Sequence, residues 1–104
     1  MTQPSTAGSF AIDGEFTIYR AAELCEGLKS ALADTVAGSA FELDLGRVTE
    51  MDSAGVQLLM AARKSAALQQ RELHLVDPSP AVLEVFDTLD LRAHFGVAST
   101  TAAP

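Results

Sequence analysis

The chain has one cysteine, two histidines, no tryptophan and seven basic residues among 104, and each shortage closes a class of function. A lone Cys25 can neither form an intrachain disulfide nor build a cysteine metal cage. Set among Ala21, Leu24 and Leu28 at helical spacing, it reads as a packed thiol. His74 and His94 lack H-x-x-x-H or H-E-x-x-H spacing, so metal ligation has no support and both read as surface or strand-face residues. Seven Lys plus Arg against fourteen Asp plus Glu leave a net charge of −7, which opposes binding to nucleic-acid phosphates and to anionic lipid headgroups. Met1 to Ser9 carry neither the basic start nor the apolar stretch of a secretory signal, and no apolar run approaches the ~20 residues of a membrane span. A cytoplasmic protein without direct membrane insertion is expected.

Apolar patterning is abundant. A chain of this length buries roughly two-thirds of its unfolded surface, enough for one core. Residues 1–8 and 98–104, rich in Ser, Thr, Ala, Pro and Gly, read as flexible tails around a domain spanning 9–97. Phe10 and Ile12 alternate with Ala11 before Asp13-Gly14, which predicts a strand followed by a turn. Ala21, Leu24, Cys25, Leu28, Ala31 and Leu32 recur at three and four, predicting an amphipathic helix from roughly Ile18 to Val36 with Thr17 as its N-cap. Phe41, Leu43 and Leu45 alternate with Glu42 and Asp44, and Leu73 and Leu75 repeat the pattern around His74, as strands with one apolar face do. Between them, Gly55, Leu59, Ala62 and Ala66 mark a helical stripe whose small residues permit close approach to a sheet.

Ser79 as cap and Pro80 at the first helical position open a last helix with Val82, Val85, Phe86 and Leu89 on one face. His94-Phe95-Gly96-Val97 is expected as a short final strand. The alternation of strands and helices predicts an α/β sandwich with right-handed crossovers. Polar residues at 42, 44 and 74 place most helices on one face.

The most informative residues are Met51-Asp52-Ser53-Ala54-Gly55-Val56, where a hydroxyl lies between a strand-like and a helix-like run. A serine there belongs to the first turn of a helix, where unpaired N–H groups and the dipole favour an acceptor such as a phosphate oxygen. Asp and Ser are equally the commonest N-caps, so a plain cap explains the same letters. On the helix, Ser53, Val56, Met60 and Ala67 share one narrow stripe apart from the buried one. It is either a docking face beside the hydroxyl or packing under a neighbouring loop.

Catalytic readings fare worse. The D-x-x-G of residues 52–55 also occurs in P-loop GTPases, but nothing matches G-x-x-x-x-G-K-[ST]. A G-x-S-x-G nucleophile elbow fails because position 51 is Met. A phosphoacceptor receiver domain needs a lysine at a late strand end, whereas Lys29 and Lys64 fall inside predicted helices. No enzymatic activity, metal or cofactor is expected.

Asp52-Ser53-Ala54-Gly55, preceded by Phe41-Glu42-Leu43-Asp44-Leu45 and followed by Leu73-His74-Leu75-Val76-Asp77-Pro78-Ser79-Pro80, resembles the STAS domain family of bacterial anti-sigma factor antagonists and their relatives. The likeness runs from about Phe10 to Phe95. It implies the STAS fold, a mixed sheet of four to five strands with helices mostly on one face. It also implies that Ser53 is the position phosphorylated by a cognate kinase, with Asp52 and Gly55 supporting the switch loop. Many antagonists carry Gly-Glu-Leu-Asp where this chain has Gly14-Glu15-Phe16-Thr17, so Thr17 replaces the acid of the usual kinase contact. Thr17, Val56 and Met60 are the expected partner-binding residues. Ala54 replaces a second hydroxyl often found beside the phosphosite.

Two functions follow from the resemblance. The first is a module that binds an anti-sigma factor or Ser/Thr kinase, switched by phosphorylation of Ser53 and reset by a phosphoserine phosphatase. The second is the non-phosphorylated cytoplasmic STAS subunit of an Mla-type phospholipid ABC transporter, bound constitutively to an ATPase subunit.

Overall fold

Alternation builds the first strand. In β1 (Gly8–Phe16) the side chains of Ile12 and Phe16 are buried and Phe10 is partly so, while Ser9, Ala11, Asp13 and Glu15 are exposed, a strict period of two. The second strand, β2 (Phe41–Met51), begins the same way with Phe41, Leu43 and Leu45, then steps by three to Val48 and again to Met51. A period of two breaks only where a strand carries an extra residue. The pairing shows this directly: β1 runs parallel to β2 with register shifts between Ala11 and Asp13 and between Gly14 and Glu15, each putting one more residue on β2. These data come from a computed structural model, which describes residues 8–34 and 40–96.

Asp13-Gly14, expected as a turn, therefore lies inside a longer strand. Gly14 takes φ +84°, a conformation that serves an irregular strand as well as a turn. Burial of Phe16 beyond it keeps the chain extended. Gly8, expected in the N-terminal tail, pairs with Phe41. The remaining tail residues, 1–7 and 98–104, lie outside the described residues.

The first helix, α1, spans Ala21–Ala33 rather than starting at Ile18, and the expected end at Val36 lies outside the described residues. Thr17 is not its N-cap. Arg20 holds that position without a side-chain cap bond. Thr17 instead closes the turn before it, accepting from Arg20 N–H at its carbonyl (2.9 Å) and from Tyr19 N–H at Oγ1 (3.3 Å).

After β2 come α2 (Ser53–Leu68), β3 (Leu73–Val76) and α3 (Pro80–Leu89). β3 pairs in parallel with Phe41–Asp44, giving the order β1-β2-β3. Crossovers between successive parallel neighbours of one hand put α1 and α2 on the same face. Glu42, Asp44 and His74 point out of the other face and are exposed, as expected. The α2 stripe Gly55, Leu59, Ala62 and Ala66 is buried, and Val82 and Phe86 of α3 join Leu24, Leu28 and Leu32 of α1 over Phe41, Leu43 and Leu45. α3 opens as its sequence predicts, with Ser79 Oγ accepting from Val82 N–H at 3.3 Å and Pro80 following. Leu89, expected on its inner face, is instead exposed.

The sheet is parallel and three-stranded among the described residues, against an expectation of a mixed four to five. One expected strand fails for a visible reason. The segment at His94 to Gly96 is a turn in which Phe95 N–H bonds the Leu91 carbonyl (3.1 Å) and the Phe95 ring stacks on Phe86 at 5.1 Å. The Phe95 ring is thereby buried, where an edge strand would have left it half out; Val97 lies outside the described residues. Among the described residues no helix is long and apolar enough to cross a membrane.

Candidate functional site

The strand-to-helix junction places Asp52 at the N-cap of α2 in extended conformation, with φ −124°. Its Oδ1 accepts from the N–H groups of Ala54 (2.9 Å) and Gly55 (3.2 Å), satisfying donors that a helix start leaves unpaired. Its Oδ2 accepts from Ile18 N–H at 3.1 Å. The Ile18 N–H does most to hold the Asp52 carboxyl below the ordinary carboxylate range; partial desolvation opposes it, and the Gly55 and Ala54 N–H groups reinforce it.

Because Asp52 is the cap, Ser53 is not. Ser53 is the first residue of α2, is exposed, and its hydroxyl bonds to none of the described residues. Of the two readings of the Asp-Ser pair, the cap belongs to the acid and the free hydroxyl to the serine.

Gly55 explains how the helix comes so close to the sheet. A Cβ there would lie 2.6 Å from the Phe16 carbonyl oxygen and 3.2 Å from the Phe16 ring. Only a residue without a side chain lets the first turn of α2 sit on the end of β1. Asp52 and Gly55, expected to support the switch loop, both meet the chain around Phe16–Ile18.

The expected docking residues are placed differently. Val56 is 3% exposed and Thr17 6%, so both belong to the interior, and Met60 is partly buried against the core. Neighbouring elements cover the Val56 side of α2, which the stripe on an isolated helix could not reveal. The apolar side chains that do stand free beside the junction are Ile18, 65% exposed, and Tyr19, 88% exposed. The expected helix start at Ile18 hid them, since their exposure depends on the turn that Thr17 makes. Arg20 anchors this turn, donating to the carbonyl oxygens of Asp13 and Glu15 (the latter at 3.1 Å) and pairing with Glu23 at 3.2 Å.

Beside the junction lies an open groove of about 510 Å³ between the ends of β1 and β2 and the α3 helix. Glu15, Glu50, Asp52 and Glu84 give it a negative lining, with Tyr19 and Val85 as apolar walls. No group of three His, Cys, Asp or Glu among the described residues converges to hold a metal ion. What the arrangement supplies is an exposed hydroxyl at a helix N-terminus, an adjacent apolar pair and a nearby negative surface.

Comparison with known proteins identifies the family. The family model described as "Mlab, STAS domain" matches residues 2–96. A sulfate transporter family protein from Wolinella succinogenes superimposes with a TM-score of 0.68 at 20% identity, over 86% of this chain and 70% of that one. The anti-sigma factor antagonist SpoIIAA in its unphosphorylated form superimposes with a TM-score of 0.61 at 25% identity, over 91% of this chain and 82% of that one. No curated protein matches the sequence significantly. The chain belongs to the STAS domain family.

Proposed function

We propose that this STAS domain is a cytoplasmic regulatory module that binds a partner protein through the strand-to-helix junction and is released when Ser53 is phosphorylated. The observation that carries the reading is the division of labour between neighbours: Asp52 caps α2, which leaves the Ser53 hydroxyl exposed and unbonded. A phosphate on Ser53 adds about −1.5 to −2 charges. The helix N-terminus offsets part of that, but Asp52 stands next to it and Glu50 close by, so the modified surface repels an acidic or apolar contact. The fold has no need to rearrange. Likeness to SpoIIAA supports an anti-sigma factor or Ser/Thr kinase as the partner, with a phosphoserine phosphatase to reverse the modification. The domain is then a substrate and ligand, with no turnover of its own.

The test is incubation of the protein with its cognate kinase and ATP, followed by tryptic mass spectrometry. Phosphate on Ser53 alone is the expected result. Modification elsewhere with Ser53 bare removes the switch.

The description of the matching family favours a second reading, a non-phosphorylated cytoplasmic STAS subunit of an Mla-type phospholipid ABC transporter. In that case the same face binds an ATPase subunit constitutively. Affinity for that subunit that ignores the chemistry at position 53 would distinguish it.

A further inference from the structure

Among the described residues Arg20 pairs with Glu23, Arg47 with Asp13 and Arg92 with Asp87. Arg63 does not. In a chain with twice as many acids as bases, its guanidinium makes no ion pair among the described residues and faces a histidine, with Nη1 3.2 Å from His94 Nε2. A guanidinium has no acceptor atom, so Arg63 donates and His94 Nε2 accepts.

These two residues form one wall of an open groove of about 630 Å³, remote in the fold from Ser53, between the second half of α2, β3 and the turn after α3. His74, whose Nε2 lies 2.9 Å from Glu72 Oε1, also borders it. Arg71 is the second arginine of the lining; it is largely buried and spends Nη1 on the Leu32 carbonyl at 2.6 Å. The groove thus gathers both histidines of the chain and two of its seven Lys plus Arg, against one carboxylate already paired. Its position is fixed from below, because Phe95 stacks on Phe86 and meets the His94 ring edge-on at 5.0 Å.

We propose that this groove, where Arg63 faces His94 and which His74 also borders, binds a small soluble phosphate monoester. Arg63 has no carboxylate partner among the described residues to compete for its donors, and an arginine fork is well matched to the several acceptor oxygens of a phosphate. The volume exceeds that of a bare anion, and Leu73, Leu75 and Ala93 give an organic body apolar surface to lie on. The ligand takes over the Arg63 donors now spent on His94. A soluble ester is favoured over a lipid headgroup because the net charge of −7 repels an anionic bilayer at long range, whereas a single small anion meets only the local cations.

Calorimetry of the full chain with glycerol 3-phosphate, at low salt and about pH 6.5, tests this. Saturable one-to-one binding is expected. Arg63→Ala should weaken it at least about tenfold, as loss of a hydrogen bond to a charged group does. Arg63→Lys, which keeps the charge without the fork, should recover only part of the affinity. Arg47→Ala, at an arginine paired with Asp13 and outside the groove lining, should leave binding unchanged. Amide and imidazole NMR shifts should centre on Arg63, His74 and His94. No binding, equal losses in the Arg63 and Arg47 variants, or shifts confined to the first turn of α2 would overturn the assignment. Binding of phosphatidic acid vesicles without binding of the soluble ester would overturn its source.

Discussion

The Asp52 carboxylate and the Ile18 backbone N–H, 34 residues apart in sequence, meet at 3.1 Å. One side chain therefore caps α2 and fixes the turn that presents Ile18 and Tyr19. Loss of the Asp52 carboxylate would remove the cap and the Ile18 tie together.

Asp52→Ala should lower Tm by several degrees, because it removes a helix cap and the Ile18 tie together. Asp52→Asn retains an acceptor and should lose less. Thermal unfolding followed by circular dichroism separates the two, and faster amide exchange at Ile18 in the Ala variant checks that the tie is what was lost. Equal Tm for wild type and Asp52→Ala would show that the cap carries no stability.

The pH dependence has a definite sign. The Asp52 carboxyl is held below its ordinary range in the folded state, so the unfolded chain binds the proton more readily. Its contribution is fully present above the unfolded carboxylate value of about 3.9 and is lost as pH falls through the lower folded value. Acid unfolding of wild type and Asp52→Asn should therefore converge in this window, with the difference restored at neutral pH. Asp87, held low by its hydrogen bonds to Arg92, adds a loss of the same sign.

Gly55→Ala should destabilise the fold by about 1–3 kcal/mol, the usual range for forcing a methyl into a filled space. The added carbon would press on a backbone oxygen, which cannot rotate away as a side chain can. Urea unfolding measures the loss. A neutral result would mean that α2 can lift from Phe16 without cost.

At position 53 charge matters more than stability. Ser53→Ala removes a hydroxyl that caps nothing and should change stability by less than about 0.5 kcal/mol while abolishing the response to kinase. Ser53→Asp places an unpaired carboxylate in the proposed contact and should weaken partner binding at least about tenfold. Calorimetry against the anti-sigma factor or ATPase partner reads both. Equal affinity for wild type, Ala and Asp would favour the constitutive transporter subunit.

Tyr19 and Ile18 give the matching apolar test. Tyr19→Ser and Ile18→Ser, at side chains that are largely exposed, should leave Tm within a few degrees of wild type and weaken partner binding measurably, whereas Val56→Ala should chiefly reduce stability. The reverse pattern would restore the Val56 stripe as the docking face.

Much of this molecule is written locally. Alternation at Phe41–Leu45 and Leu73–Leu75 determined two strands and their polar face, and the spacing of Gly55, Leu59, Ala62 and Ala66 determined the buried side of α2. Ser79-Pro80 determined the start of α3, and Met51-Asp52-Ser53 marked the junction. These signals survive in sequence because they act between residues one to four apart, the reach of a strand pleat or a helix turn. Tertiary structure alone decided what depends on distant partners. Ile18 N–H and the donors of Ala54 and Gly55 converge on Asp52 and free Ser53. The burial of Phe16 turns Asp13-Gly14 from a turn into strand, and the stacking of Phe95 on Phe86 turns an expected strand into a turn. Packing hides Val56 and Thr17 while leaving Tyr19 in solvent, and it brings Arg63 to His94 across thirty-one residues. Which face of an element meets another is settled by the competition of all apolar surfaces for one core, and no local window of sequence contains that competition.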